Sequence, residues 1–415
     1  MASRLIALGV RNGDSFYLER ERRSVLVDGG QSQRDLCRLF KGVTGVRYVD
    51  YLVCTHADAD HINGLIGYLK DKGLRCSELW LPSYIGYRIE DILERSEESL
   101  AEITAELQKR ISDLLKEKKA LDILEFNETI LRESPRSGDS EKAAWTMLAK
   151  EALKDQSDSM QKTQKTVNDS LSKSNYVHFD PLRIESSVRK LFEEIFSSCA
   201  CEEYQDRLIM GAIGSIARNY VDLFKRMREL IVAALKRGVR IRFFEFSKYS
   251  SGGGEPGFLE PVNSLEILSL SALKKLGAGL SLLQILALSI QNKQSLVFIS
   301  PQNECLPASL FCADSDLKFY QPIHWSSGMV STAPHHGSVS NDHAYWRFVV
   351  ESGGLTIIWL RTHHRRVNEL AKFLISANGQ FIESTYCTDK QRVSIELWSH
   401  KGQWKVIRRT GFLHK

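Results

Sequence analysis

The chain has 415 residues, 43% of them hydrophobic and 26% charged, which is too apolar for disorder and long enough for one large core or two moderate ones. Its longest weakly polar run, residues 277–290, falls short of the roughly 20 apolar residues a membrane-spanning helix needs. No membrane segment or secretory leader is expected, and the expected compartment is the cytoplasm. Eight scattered cysteines without paired spacing read as reduced thiols rather than a disulfide framework. The net charge of +5 is unevenly placed: residues 321–415 carry 12 Lys and Arg against 6 Asp and Glu, the first 320 residues 44 against 45. Eight of the 11 histidines also lie beyond residue 320. A cationic, histidine-rich terminal region suits an anionic substrate such as a phosphodiester held near a metal.

The chain opens with strands on short connections. Residues 5–10 form a strand ending at the turn Asn12-Gly13-Asp14, residues 15–19 a second, and residues 24–28 a third that stops at Gly29-Gly30. A helix then leads to residues 48–55, a nearly continuous apolar run of the kind found in a strand covered on both faces. Residues 79–82 repeat that pattern. Strands alternating with helices predict an α/β sheet with helices against it.

Residues 88–238 differ in kind. Leu93, Leu100, Leu107 and Leu114 recur every seven residues, with Ile103 and Ile111 between them, predicting a long amphipathic helix. Residues 134–175 are rich in Ser, Asp, Lys and Gln and read as loose helix and linker, after which residues 183–238 return to helical periodicity. A helical hairpin inserted between residues 1–87 and 239–415, the two halves of one strand-rich domain, is the expected arrangement. A dimerising coiled coil is the alternative. Strand character resumes at 239–246 and continues at 265–268, 282–290, 295–300, 328–333, 355–360 and 393–398.

The sharpest chemical signal is Thr55-His56-Ala57-Asp58-Ala59-Asp60-His61, between a buried-type strand and a helix. His56, Asp58, Asp60 and His61 can converge on one or two cations when a strand ends in a tight loop. A merely solvated loop uses Asp freely but seldom brackets it with two histidines. Further candidates follow other strand-like runs: His335-His336, preceding Gly337-Ser338, and His363-His364, preceding Arg365-Arg366.

Together these residues resemble the metallo-β-lactamase-fold hydrolases, and within them the hydrolase domain of the competence DNA-uptake protein ComEC. The loop H-x-D-x-D-H-x-G-G of that subgroup is matched by His56 to Gly64 with Asn63 in place of one Gly. Its V-G-Q-G-D-S is matched by Val10 to Ser15, its L-I-D-G-G by Leu26 to Gly30, and its H-H-G-S by His335 to Ser338. The resemblance covers roughly residues 1–85 and 240–400. It implies an αββα sandwich with metals along one edge, His56, Asp58 and His335 on one cation, and Asp60, His61 and His364, preferred over His363, on the other. Asp28 would support the loop through hydrogen bonds, Asp14 would be a turn or orienting residue, and His336 would face away from the metal or contribute through hydrogen bonding. In that family the strand read here at 295–300 ends in Gly-Asp, whose carboxylate bridges the metals. This chain offers Gln302, a neutral amide, which puts the second ion in question; Glu304, Asp314 or Asp316 would substitute only if the loop were displaced.

The implied chemistry is hydrolysis with one or two divalent ions, Mn²⁺ or Zn²⁺, with Asp58, Asp60 and His61 at its centre. Arg361, Arg365 and Arg366 are expected on substrate phosphate, or on a solvated face. Trp325, Tyr345, Trp346 and Trp359 could stack on bases, although most should be core. The expected function is a metal-dependent nuclease acting on DNA, in a setting such as antiviral defence, with the helical block meeting a protein partner or a second copy. The alternatives are a hydrolase of nucleotides or non-phosphate esters, and a catalytically weakened fold member serving as a binding or assembly module, which Gln302 favours.

Overall fold

The computed structural model describes residues 3–116, 204–290, 294–338, 341–362, 381–387 and 391–413. In chain order its elements are β1 (Arg4–Ala7), β2 (Phe16–Arg20), β3 (Arg23–Val27), α1 (Gln33–Thr44), β4 (Tyr48–Val53), α2 (Ala59–Lys70), β5 (Arg75–Pro82), α3 (Ile89–Glu94), α4 (Ser96–Lys116) and α5 (Tyr204–Lys236). There follow β6 (Arg240–Phe246), β7 (Glu260–Pro261), β8 (Ser264–Ile267), α6 (Leu270–Gly277), α7 (Leu282–Ile290), β9 (Phe298–Ser300), β10 (Ser309–Phe311) and β11 (Val330–Thr332). The chain continues with α8 (Asp342–Glu351), β12 (Ile358–Arg361), β13 (Phe381–Ser384), β14 (Tyr386–Cys387), β15 (Gln391–His400) and β16 (Gln403–Leu413). It divides into two compact units, one of residues 1–83, 233–268 and 292–415, the other of residues 84–232 and 269–291.

The first unit is a two-sheet sandwich. One sheet runs β14-β15-β1-β2-β3-β4-β5-β6-β8 with β16 on β15, and the other β13-β12-β11-β10-β9-β7. Leu5, Phe16, Val25, Val53, Trp80 and Phe244 of the first meet Phe298, Phe311, Val330, Ile358 and Leu360 of the second in one buried cluster. Helices close both outer faces. On the first sheet α1 and α2 lie side by side, and Phe40 of α1 meets both Tyr17 of β2 and Tyr68 of α2 edge to face. On the second, Tyr345 and Phe348 of α8 pack on Trp359 of β12. The layers are therefore αββα, as expected.

Strand direction decides where chemistry can sit. In the first sheet β3, β4, β5 and β6 are parallel, and in the second β10, β11 and β12 are parallel, so their carboxyl ends deliver loops to an edge. Such ends are where open α/β sheets place ligands. The docking of α2 beneath this edge depends on glycine: a Cβ on Gly64 would stand 1.8 Å from the Gly29 carbonyl oxygen, and the Gly64 amide donates to the Gly30 carbonyl at 2.9 Å.

In the second unit Leu93 of α3 and Leu100, Ile103 and Leu107 of α4 are buried, as their spacing predicts. The side chains of Ile111 and Leu114 and all of residues 117–203 lie outside the described residues. Residues 282–290, expected as a strand, are the helix α7. A short continuous apolar run does not reveal its own period, and here the chain settles the matter at residue 281. The Ser281 hydroxyl accepts from the Gln284 amide at 3.2 Å while the Gln284 side chain accepts from the Ser281 amide at 2.9 Å, a reciprocal capping box that starts a helix. Among the described residues no single helix is long and apolar enough to cross a membrane.

Candidate metal centre

At the carboxyl end of β4 the chain leaves the sheet through Cys54, Thr55 and His56 and enters α2 with Asp58 at the N-cap position. The Asp58 side chain makes no capping bond, so capping does not explain this carboxylate. Asp28, just beyond β3, holds the loop together. It accepts from the Thr55 amide at 2.9 Å on one oxygen, and from the Thr55 hydroxyl at 2.7 Å and His61 Nδ1 at 2.9 Å on the other. Because the Thr55 hydroxyl gives its proton to Asp28, His56 Nδ1, 3.1 Å from that oxygen, must be the donor between them. Both imidazoles therefore carry a proton on Nδ1, which leaves Nε2 as the ligating atom of each neutral ring. Nε2 of His56 and of His61 is buried and makes no hydrogen bond.

The second sheet supplies the other half. Asp314 follows β10, His335 and His336 follow β11, and Thr362 follows β12. His335 and His336 both sit in the left-handed region, at φ 48° and 53°, which costs free energy in non-glycine residues and is found where a structure holds side chains for a purpose. Their loop is tied down by the His335 amide donating to the Ala313 carbonyl at 2.8 Å and by Arg361 Nε donating to the His336 carbonyl at 2.6 Å. His336 Nδ1 donates to Asp14 at 3.0 Å, and the same Asp14 oxygen lies 2.6 Å from the Thr362 hydroxyl. Asp14 thus orients His336 as Asp28 orients His61.

These pieces converge on Asp314. One of its oxygens lies 3.5 Å from His61 Nε2 and 3.4 Å from His336 Nε2; the other lies 3.6 Å from His56 Nε2 and 3.6 Å from His335 Nε2. Asp60 closes the first group, at 4.0 Å from His61 Nε2 and 3.7 Å from His336 Nε2. Donor atoms of Asp14, His61, Asp314 and His336, all buried, come within 4.8 Å of one another. Separations of 3.4–3.7 Å are too long for good hydrogen bonds. They are what two ligands show when each is about 2.1 Å from one tetrahedral ion, roughly 3.4 Å apart. The donor set fits a divalent cation, and the residues that would hold it gather on the two oxygens of Asp314.

Electrostatics support the same reading. Burial opposes a charge on His61, yet Asp28, Asp314 and Asp60 hold its pKa well above the ordinary histidine value. Burial likewise opposes His336, and Asp14 and Asp314 raise it to about 10. Asp314 is held well below the carboxylate range by His336, His61 and His56 against the pull of burial. His56 goes the other way, pushed down by burial and by the charge on His61. The site draws in positive charge, as protons when no cation is there.

Several expectations are corrected here. Gln302 does not stand at the bridge: it is exposed, and β9, the strand before it, turns into an antiparallel partner of β10. The carboxylate that faces the histidines is instead Asp314, which follows β10, a strand the sequence expectation omits. Ala313 takes φ 48°, the left-handed conformation for which the expected Gly-Asp would supply glycine. His336, expected to turn away or to act through hydrogen bonding, does bond Asp14 through Nδ1 but also turns Nε2 to Asp314 alongside His335. Arg361 is 5% exposed and committed to the His336 loop, not to solvent where a phosphate would approach. Asp58, expected as a ligand, is half-buried and is not in the group of donor atoms that converge. His363, His364, Arg365 and Arg366 lie outside the described residues. Thr55 and Thr362, which complete the two hydrogen-bonded supports, carry no sequence signal beyond standing next to a histidine.

Residues 8–75 match the model of the metallo-beta-lactamase superfamily. That span holds Asp14, Asp28 and the whole His56–His61 loop, so the match and the geometry bear on the same residues. No curated protein matches the chain significantly. The architecture is that of a metallo-β-lactamase sandwich, with an Asp/His cluster able to hold metal at its edge.

Proposed function

We propose that this chain is a divalent-metal-dependent phosphodiesterase, a nuclease acting on DNA with Mn²⁺ or Zn²⁺. The observation that carries the hydrolase reading is Asp314, one oxygen turned to His61 and His336 and the other to His56 and His335. A single carboxylate between two nitrogen groups offsets the repulsion of two cations a few Å apart. When bound, such cations supply a water of lowered pKa and neutralise charge on the group under attack. The protein's own part is to fix the ligand atoms: Asp28 aims His61 and, through Thr55, His56, while Asp14 aims His336. Asp58, half-buried at the start of α2 and without a capping bond, is the carboxylate we assign to take or give a proton there. Four imidazoles suit Zn²⁺ and the Asp314 and Asp60 carboxylates suit Mn²⁺, so both ions are kept, and the preference for phosphodiesters rests on the cationic last quarter of the chain. Antiviral defence, with the second unit meeting a protein partner or a second copy, is the setting we propose.

The reading of a weakened binding module rested on a neutral residue at the bridge, and Asp314 removes that motive. The test is metal analysis of the purified protein together with hydrolysis of bis(p-nitrophenyl) phosphate, single-stranded DNA and duplex DNA, each with Mn²⁺ or Zn²⁺ added. Metal uptake with cleavage of DNA is the expected result. Metal uptake with cleavage of esters only would overturn the substrate class, and no uptake with no hydrolysis would overturn the enzyme.

A further inference from the structure

Most large aromatic side chains of the first unit are accounted for by its cores. Tyr345 of α8 and Trp359 of β12 are buried against each other, and Trp325 packs on Phe348. Tyr249 and Tyr320 are not: they are 55% and 75% exposed, yet stack on one another with ring centroids 5.2 Å apart and planes 19° apart. They come from different strand ends. Tyr249 lies in the loop leaving the carboxyl end of β6 and Tyr320 in the loop leaving that of β10. These are the ends that bear the metal-site loops in each sheet. The Tyr320 amide donates to the Lys248 carbonyl at 2.8 Å, so the two loops are tied directly behind the rings.

The Tyr320 loop is held rigidly although its tip is bare. Arg347 Nη1 donates to the carbonyls of Leu317 and Phe319 at 2.7 and 2.8 Å, and Nη2 to that of Gln321 at 2.6 Å, while the guanidinium covers the Phe319 ring at 4.3 Å. Leu317 and Phe319 are buried, and Tyr320 is turned out between two clamped neighbours. A loop so constrained presents its exposed ring in one place at little entropic cost. Lys248, next to Tyr249, and Lys318, two residues before Tyr320, are both exposed, Lys318 with its ammonium 4.0 Å from Asp316. Tyr320 follows Asp314 by six residues, a reach of at most about 20 Å for extended chain.

We infer that the stacked Tyr249–Tyr320 pair is a platform for an unpaired base of single-stranded DNA, with Lys248 and Lys318 meeting the adjoining phosphates, on the strand's way to the metal centre. The inference deepens the nuclease reading and rests on it for the identity of the occupant. An aromatic face accepts any base once that base is unstacked, and neighbouring cations follow the backbone, which is how single strands are bound without sequence preference. A paired base inside a duplex has no free face to offer, so the platform sets a preference for single strands.

The test measures binding of a fluorescein-labelled 12-mer of thymidylate, and of a duplex of that length, by anisotropy in EDTA so that nothing is cleaved. Hydrolysis of bis(p-nitrophenyl) phosphate with Mn²⁺ runs beside it on the same proteins: the natural chain, Tyr249→Ala, Tyr320→Ala and Tyr320→Trp. We expect each alanine variant to weaken single-strand binding by about tenfold, Tyr320→Trp to retain it, the duplex to bind more weakly, and hydrolysis of the base-free ester to be unchanged. Equal binding by natural and alanine proteins, equal binding of duplex, or no binding of the 12-mer would overturn the platform. If hydrolysis of the ester persists in that case, the phosphodiesterase reading stands alone. If the tyrosines matter for binding but no ester or DNA is cleaved by any of the proteins, the platform stands and the nuclease reading falls.

Discussion

The two halves of the candidate metal centre are built by different rules. In the first half His56, Asp58, Asp60 and His61 come from one strand end and the first turn of one helix, and Asp28 governs both histidines. In the second half Asp314, His335 and Thr362 follow three separate strands, and Asp14 governs His336 from across the sheets. A local half is positioned by a turn, a distributed half by the register of a sheet. The first is robust to what happens elsewhere, and the second depends on β10, β11 and β12 keeping step.

Asp314 is where the comparison breaks most sharply, because among the described residues it alone faces both nitrogen groups. Asp314→Asn keeps the shape and removes the charge between the cations, and should lower hydrolysis on the order of 10³-fold, a few kcal/mol of lost electrostatic stabilisation, with loss of bound metal. Gln302→Asp, at an exposed position, should change neither metal content nor rate. Metal analysis and rates on these two variants decide whether the bridge lies at the end of β10 or beyond β9.

The supports come next. Removing an outer partner of a metal-binding histidine costs about 10–100-fold in metal affinity. Asp28→Ala frees His61 directly and His56 through Thr55, whereas Asp14→Ala frees His336 alone. The first variant should therefore lose more affinity than the second in a metal titration. Equal losses would mean that the Thr55 link to His56 carries nothing.

This asymmetry also explains what could be read from sequence. The His56–His61 loop stood out in the sequence because its candidate donors lie within six residues and their spacing is itself the signal, and His56, Asp60 and His61 of it do face the other half. The histidine pair at 335 and 336 was visible as a motif, but which ring faces the metal is set by two successive left-handed residues, which letters do not show. Asp314 is only one of three possible stand-ins in the sequence, because a strand of only three residues and an alanine where a glycine would have marked the turn conceal its place. In the second unit the heptad leucines announced α4, while α7 passed for a strand because nine mostly apolar residues look alike in either period. There the deciding feature, Ser281 with Gln284, was in the sequence and lay just outside the apolar run.

A pH titration distinguishes the halves through their protons. Without metal, His336 is raised to about 10 from an ordinary value near 6.5, so its pairing stabilises the folded protein fully below about pH 6.5 and is lost as pH rises through about 10. Metal must displace the Nε2 protons of His61 and His336, since Nδ1 of each is held by a carboxylate, but none from His56, whose pKa is lowered. Apparent metal affinity should rise about tenfold per pH unit for each proton released, between about pH 6.5 and 10. Calorimetry in buffers of different ionisation enthalpy counts those protons. Asp14→Ala, by removing the first charge that raises His336, should flatten the slope, and an unchanged slope would assign the protons elsewhere.

The smallest effect concerns Ala313, on which the distributed half turns. Its φ of 48° places a β-carbon where an L-residue pays roughly 1–2 kcal/mol, and the Ala313 carbonyl accepts the His335 amide at 2.8 Å, so the residue cannot relax without moving a ligand. Glycine would relieve that strain at a cost of about 0.4–1 kcal/mol in unfolded-state entropy, which the relief exceeds. Ala313→Gly should therefore raise stability by about 0.5 kcal/mol, visible in chemical denaturation of the metal-free protein, and leave metal affinity unchanged. If the glycine variant loses stability and binds metal more weakly, the strained alanine is what keeps the Asp314 loop in place, and the second half of the centre is held by backbone rigidity more than by its hydrogen bonds.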